Sequence, residues 1–132
     1  MRHVPLTWLE LRWPRDATAD QVLTATRLLA TAAGTPTVLE AIGTNTGIVH
    51  RVATPGGHAD HLADQLRSTF PGLAVDQLTA RADLAIDRAI DVRITTKRRP
   101  LRTDQILSVS RAMLTALASL NPGETLSLIW VL

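Results

Sequence analysis

Asp104-Gln105-Ile106-Leu107-Ser108-Val109-Ser110-Arg111 repeats, at an offset of 84 residues, the stretch Asp20-Gln21-Val22-Leu23-Thr24-Ala25-Thr26-Arg27. Asp, Gln, Leu and Arg are identical, Val pairs with Ile, and both Thr residues pair with Ser. Each copy opens an Ala/Leu-rich pattern at helical spacing. Each also follows an extended segment that ends in a proline-containing basic loop, Trp13-Pro14-Arg15 in one case and Arg98-Arg99-Pro100-Leu101-Arg102 in the other. A self-match at fixed offset bears on the whole architecture. It implies two copies of a strand–helix–strand module, against the simpler account that two Ala-rich helices resemble each other by chance.

Working outward from the first copy, Leu6 to Trp13 is β-rich and apolar on both faces, as in a central strand. Pro14 stops it, and Asp16 or Thr18 caps a helix, Gln21 standing three residues after Thr18 in a capping-box arrangement. Val22, Ala25, Leu29 and Ala32 mark the buried stripe and Gly34 the end. Thr37–Ile42 and Gly47–Thr54 predict two strands joined by a turn over Gly43–Gly47. Ala59, Leu62, Ala63, Leu66 and Phe70 predict a second helix, closed by Pro71-Gly72, and Leu73–Leu78 a short strand. The order is βαββαβ, the ferredoxin-like plan.

Around the second copy, Leu84 to Ile94 alternates with period two and predicts a longer strand, with Arg88 interrupting its apolar face. Thr103 is positioned to cap a third helix, whose stripe is Ile106, Val109, Met113, Leu117 and Leu120, and Thr125–Leu132 predicts a final strand. The expected class is therefore α+β, a ferredoxin-like βαββαβ unit over 1–80 followed by a partial βαβ unit over 81–132. A ferredoxin-like unit needs a further hairpin strand, helix and strand to close its sheet. The second copy thus implies a segment of a longer protein, unless its βαβ extends the first sheet into a complete domain.

A chain of 132 residues, 45% hydrophobic and 20% charged, suits one ordinary globular domain. No apolar run approaches the ~18–20 residues of a membrane span, and the N-terminus lacks the apolar core of a signal peptide. Without cysteine there are no disulfides or thiolate metal sites. The net charge of +2 is small, yet five basic residues and no acid lie between Arg93 and Arg102, just after Asp76, Asp83, Asp87 and Asp91. Such separation makes a local positive field.

Catalytic motifs are scarce. There is no P-loop, nucleophile elbow or dinucleotide fingerprint. Gly56-Gly57 before the second helix could offer N–H groups to an anion, although a turn entering a helix explains it equally well. His58, His61 and Asp64 share a helix face and could hold a metal with His50, but an exposed polar face is the commoner meaning of that spacing. Glu10, Glu40 and Glu124 lie in or at the start of strands. They are candidates for buried acids, although strand-end glutamates facing water are more frequent. No enzyme, cofactor, metal or small-molecule substrate is expected. The candidate contact residues for nucleic acid or another anion are Arg12, Arg15, Lys97, Arg98, Arg99 and Arg102, since guanidinium groups suit phosphate. No Phe or Tyr lies where single-strand readers stack bases, and a solvated loop or an acidic protein surface suits those cations as well.

Several motifs recur together: Pro5-Leu6-Thr7-Trp8-Leu9-Glu10-Leu11-Arg12-Trp13-Pro14-Arg15, Val38-Leu39-Glu40, Gln65-Leu66-Arg67-Ser68-Thr69-Phe70-Pro71-Gly72, Arg99-Pro100-Leu101-Arg102-Thr103-Asp104 and Gly123-Glu124-Thr125-Leu126. In that order they resemble the amino-terminal region of conjugative-transfer, type IV secretion coupling ATPases of high-GC bacteria. The resemblance covers nearly the whole chain and implies a non-catalytic accessory domain ahead of the ATPase core. It also implies a cytoplasmic place at the inner face of the cell membrane, in a hexameric motor. Partners would be proteins of the transfer complex or further copies of the chain, with DNA or anionic lipid at the basic loops. The nucleotide-binding motifs of that family are absent here, so no ATPase residue carries over. A free-standing ferredoxin-like nucleic-acid-binding module is the alternative.

Overall fold

Alternation at the start of the chain becomes β1 (Leu6–Arg12), which buries Leu9 and Leu11 on one face. The structure, a computed structural model, describes residues 5–31, 36–79, 85–92 and 104–131. Thr18 starts α1 (Ala19–Thr31) through the reciprocal bonds its spacing predicts. Its N–H donates to Gln21 Oε1 at 2.9 Å, and Gln21 N–H donates to Thr18 Oγ1 at 3.3 Å. Ala25 and Leu29 are buried, but Val22 is 44% exposed and lies off the packed stripe. The ends of that expected stripe, Ala32 and Gly34, lie outside the described residues.

β2 (Val38–Thr44) and β3 (Gly47–Pro55) form a hairpin closed by the Thr44–Gly47 pair, with Asn45-Thr46 at the tip. Gly47 has φ +145°, a conformation that side chains disfavour, so glycine suits this closing position. α2 (Gly56–Thr69) follows directly and buries the expected Ala59, Leu62, Ala63 and Leu66. Phe70, just beyond, meets Trp13 edge-on with ring centroids 5.9 Å apart. β4 (Ala74–Leu78) completes a βαββαβ element order.

Among the described residues the result is a mixed α/β structure with three helices and a five-stranded sheet of order β4-β1-β3-β2-β5, β5 being Thr125–Val131, in which all neighbours are antiparallel. Leu9, Leu11, Val52 and Val75 from the sheet meet Leu29, Leu62 and Leu66 from α1 and α2 in one core. By strand alternation, Leu39, Ala41 and Gly43 of β2 point to that same face.

The second half departs from expectation. Residues 85–92, the described part of the Leu84–Ile94 alternation, belong to no strand, and Ile90 and Val92 are 91% and 88% exposed. A strand needs an edge to pair with. Residues 85–92 pair with neither edge strand of the sheet, β4 or the final strand, and the Arg67 guanidinium donates to the Val75 carbonyl of β4 at 2.7 Å. The described second unit is therefore α3 (Ile106–Ala118) followed by β5 (Thr125–Val131), without a leading strand. Thr103, the expected cap, lies outside the described residues.

Each copy of the sequence match falls at a helix that is followed by a strand, α1 by β2 and α3 by β5. α3 begins 87 residues after α1 (Ala19 to Ile106), and β5 begins 87 after β2 (Val38 to Thr125), so the 84-residue sequence match runs nearly one helical turn out of step. The two pairs run in opposite directions, because β5 lies antiparallel beside β2, from Val38↔Val131 to Thr44↔Thr125.

α3 is less packed than its stripe implies. Leu117 is buried, but Val109 and Met113 remain 48% and 41% exposed. The helix meets the sheet at Gly43, where an added Cβ would stand 2.5 Å from the Leu117 carbonyl oxygen. Gly43→Ala should therefore cost about 1–3 kcal/mol through overpacking. Gly57→Ala, whose Cβ would meet open space, should be neutral. Chemical denaturation of both variants checks this, and equal stability for Gly43→Ala and wild type would refute the close contact.

Candidate functional site

Strand register gathers four charged residues of the sheet into one row on the face opposite α1 and α2. Asp76, Glu10, Arg51, Glu40 and Ile129 stand side by side across β4, β1, β3, β2 and β5. Nη2 of Arg51 lies 3.4 Å from Glu10 Oε2, both side chains being largely covered. Diagonally, Arg12 is paired with Asp76. Glu40 has no exposed surface, and Ser127 Oγ donates to its Oε1 at 2.9 Å. A buried carboxylate is tolerable only when its oxygens are hydrogen-bonded, so β5 contributes to holding this acid.

This row has the wrong sign for a nucleic-acid platform. Three of its four charged members are acids, and the face is closed at Glu40 and Ala53, each 0% exposed. Arg51 and Arg12 on this face are engaged by Glu10 and Asp76, which leaves the row little positive charge to offer a phosphate backbone. Glu10 and Glu40 thus belong to packed strand positions. Exposed Glu124 instead accepts hydrogen bonds from Asn121 N and Nδ2, at 2.9 and 3.0 Å, in the turn before β5.

The expected contact residues are not assembled into one site among the described residues. Arg12 is engaged by Asp76, and Arg15 is exposed in the turn after β1. Lys97, Arg98, Arg99 and Arg102 lie outside the described residues. His58 and His61 are exposed at the start of α2, whereas His50 is partly buried on β3 between Leu11 and Ala41. Asp64 instead meets Arg67 Nη1 at 3.3 Å. Among the described residues, no group of three His, Cys, Asp or Glu side chains is placed to hold a metal ion. Gly56 and Gly57 are the first residues of α2, behind Pro55, which supplies no side-chain cap.

What the sequence reading missed is an apolar surface at the far side of the sheet. On α3, Leu107 and Leu114 are 80% and 56% exposed, and on β5 Ile129, Trp130 and Val131 are exposed as well. The available signal was breadth. Leu107 and Leu114 widen the apolar face of α3 beyond what one contact with a sheet can cover, and Ile129-Trp130-Val131 is apolar on both faces of its strand.

Comparisons with protein-family models, with curated protein sequences and with solved structures found no match.

Burial lowers the His50 pKa below its ordinary value of 6.5 by desolvating the imidazolium. A histidine held neutral in the folded state stabilises the fold above its unfolded pKa. That stability is lost as pH falls through the folded pKa. Stability should therefore be flat above about pH 6.5 and decline below it. His50→Gln should flatten the decline, as read by denaturation across pH; an unchanged acid limb would contradict a role for His50.

Proposed function

We propose that the chain is a non-catalytic assembly domain, a ferredoxin-like βαββαβ unit carrying an added α3–β5 pair, that acts through protein–protein contact. On the resemblance described above, it serves a conjugative DNA-transfer, type IV secretion ATPase from the cytoplasmic face of the membrane. The observation that carries the reading is the exposure of Leu107, Val109, Met113 and Leu114 along α3. Large contiguous apolar surface is costly to leave in water and typically marks a contact site.

The motifs behind the resemblance support a scaffold role. Leu9 and Leu11, then Leu66 and Phe70, are core residues, and Glu40 is the buried acid of the sheet. No helix among the described residues is long and apolar enough to cross a membrane. The alternative nucleic-acid module is weakened by the acid row on the sheet face opposite α1 and α2, and would rest on Arg15 and the basic loop.

Sedimentation velocity over a range of concentrations tests the proposal. The wild-type chain should associate as concentration rises. Leu107→Asp with Leu114→Asp should suppress that association while leaving the thermal midpoint nearly unchanged, because both side chains are exposed. A chain that stays monomeric, yet binds a labelled duplex with an affinity falling steeply with salt, would reverse the reading in favour of the nucleic-acid module.

A further inference from the structure

The two edges of the sheet are built differently. β4 carries Asp76, paired with Arg12, and its Val75 carbonyl accepts from Arg67 at 2.7 Å. Charge and occupied backbone groups of this kind prevent an edge strand from pairing further. β5 has neither device. Its seven residues, Thr125-Leu126-Ser127-Leu128-Ile129-Trp130-Val131, contain no charge and no proline, and its last three are exposed. It is bonded to β2 on one side and ends the strand order on the other. Alternate N–H and C=O groups along its outer side are suited to another strand.

We propose that β5 docks onto β5 of a second copy of this chain, antiparallel across a two-fold axis, so that two sheets become one. The strand's own sequence selects this occupant. With Leu128 opposite Leu128, Trp130 meets Leu126 of the other copy, Ile129 meets Ser127, and Val131 meets Thr125. Residues directly opposite in an antiparallel pair share a face. The face of Leu126, Leu128 and Trp130 is then wholly apolar across the joint, and the opposite face brings together only uncharged side chains. An isologous contact sets each residue against its own counterpart surface, so a charged edge would repel itself; this one carries nothing to repel. Leu126, Leu128 and Trp130 lie by alternation on the sheet face that also carries α3, so the joint adjoins that helix's exposed apolar surface. This inference rests on the assembly reading and deepens it by naming the partner and the joint.

Charge placed on the joint tests it. Thr125 and Val131 are both exposed, so Thr125→Lys with Val131→Lys should leave the thermal midpoint near wild type. In the paired register each new lysine faces another, and self-association measured by sedimentation equilibrium should weaken roughly tenfold or more. Thr125→Glu with Val131→Glu should behave in the same way alone. Mixing the two variants should restore a dimer containing one chain of each, which surface contact elsewhere would not do. Variants that associate like wild type, or fail to pair when mixed, would overturn the β5 joint. If Leu107→Asp with Leu114→Asp still blocks association in that case, the assembly reading stands and only the joint is wrong. A wild-type chain monomeric at all concentrations overturns both.

Discussion

The second half of the molecule depends on the missing side chain at Gly43. α3 comes close enough for the Leu117 backbone to occupy the place where a Cβ would project. Protein interiors do not accommodate such overlap cheaply, so a methyl group there displaces the helix or strains the sheet. With the helix seated at that point, the turn at Asn121-Pro122-Gly123-Glu124 returns the chain as β5 along β2. The seat covers only one end of α3, which is why Leu117 is buried while Leu107 remains in water.

A second constraint joins the two parts from the opposite face. Glu40 is fully buried in the middle of β2, and one of its hydrogen bonds comes from Ser127 of β5. Removing a donor from a buried polar group is costly, on the order of 1–3 kcal/mol, whereas an exposed ion pair contributes little. Arg12–Asp76 and Arg67–Asp64 are of the exposed kind, each partner being more than half exposed. The contacts that fix β5 are thus a glycine and a serine–glutamate bond, backed by strand pairing.

Features set by local chemistry were legible in the chain. The Thr18–Gln21 capping box, the hairpin after Gly43, the Leu9/Leu11 alternation and the α2 stripe all depend on neighbours within a few residues. Features set by distant partners were not. The alternation of Leu84–Ile94 is a sound strand pattern, but its described residues pair with no strand of the sheet. Glu40 resembles any strand glutamate until β5 pairs beside it. The stripe on α3 was correctly periodic, yet period alone does not say how much of a helix the sheet reaches. Of the anticipated site, only Arg12 and Arg15 fall among described residues, and Arg12 is engaged with Asp76.

A four-stranded βαββαβ body carries an added helix and strand, which in the proposed role form the contact surface. That surface is built from a few specific contacts rather than from the main core, so it should be the more weakly held part of the fold. Native-state hydrogen exchange measures this directly. Amides of α3 and β5 should open together, at lower free energy than those of β1 and β3, and Gly43→Ala should lower their protection while sparing β1. Equal protection across all five strands, or α3 opening independently of β5, would contradict an appended unit seated at Gly43.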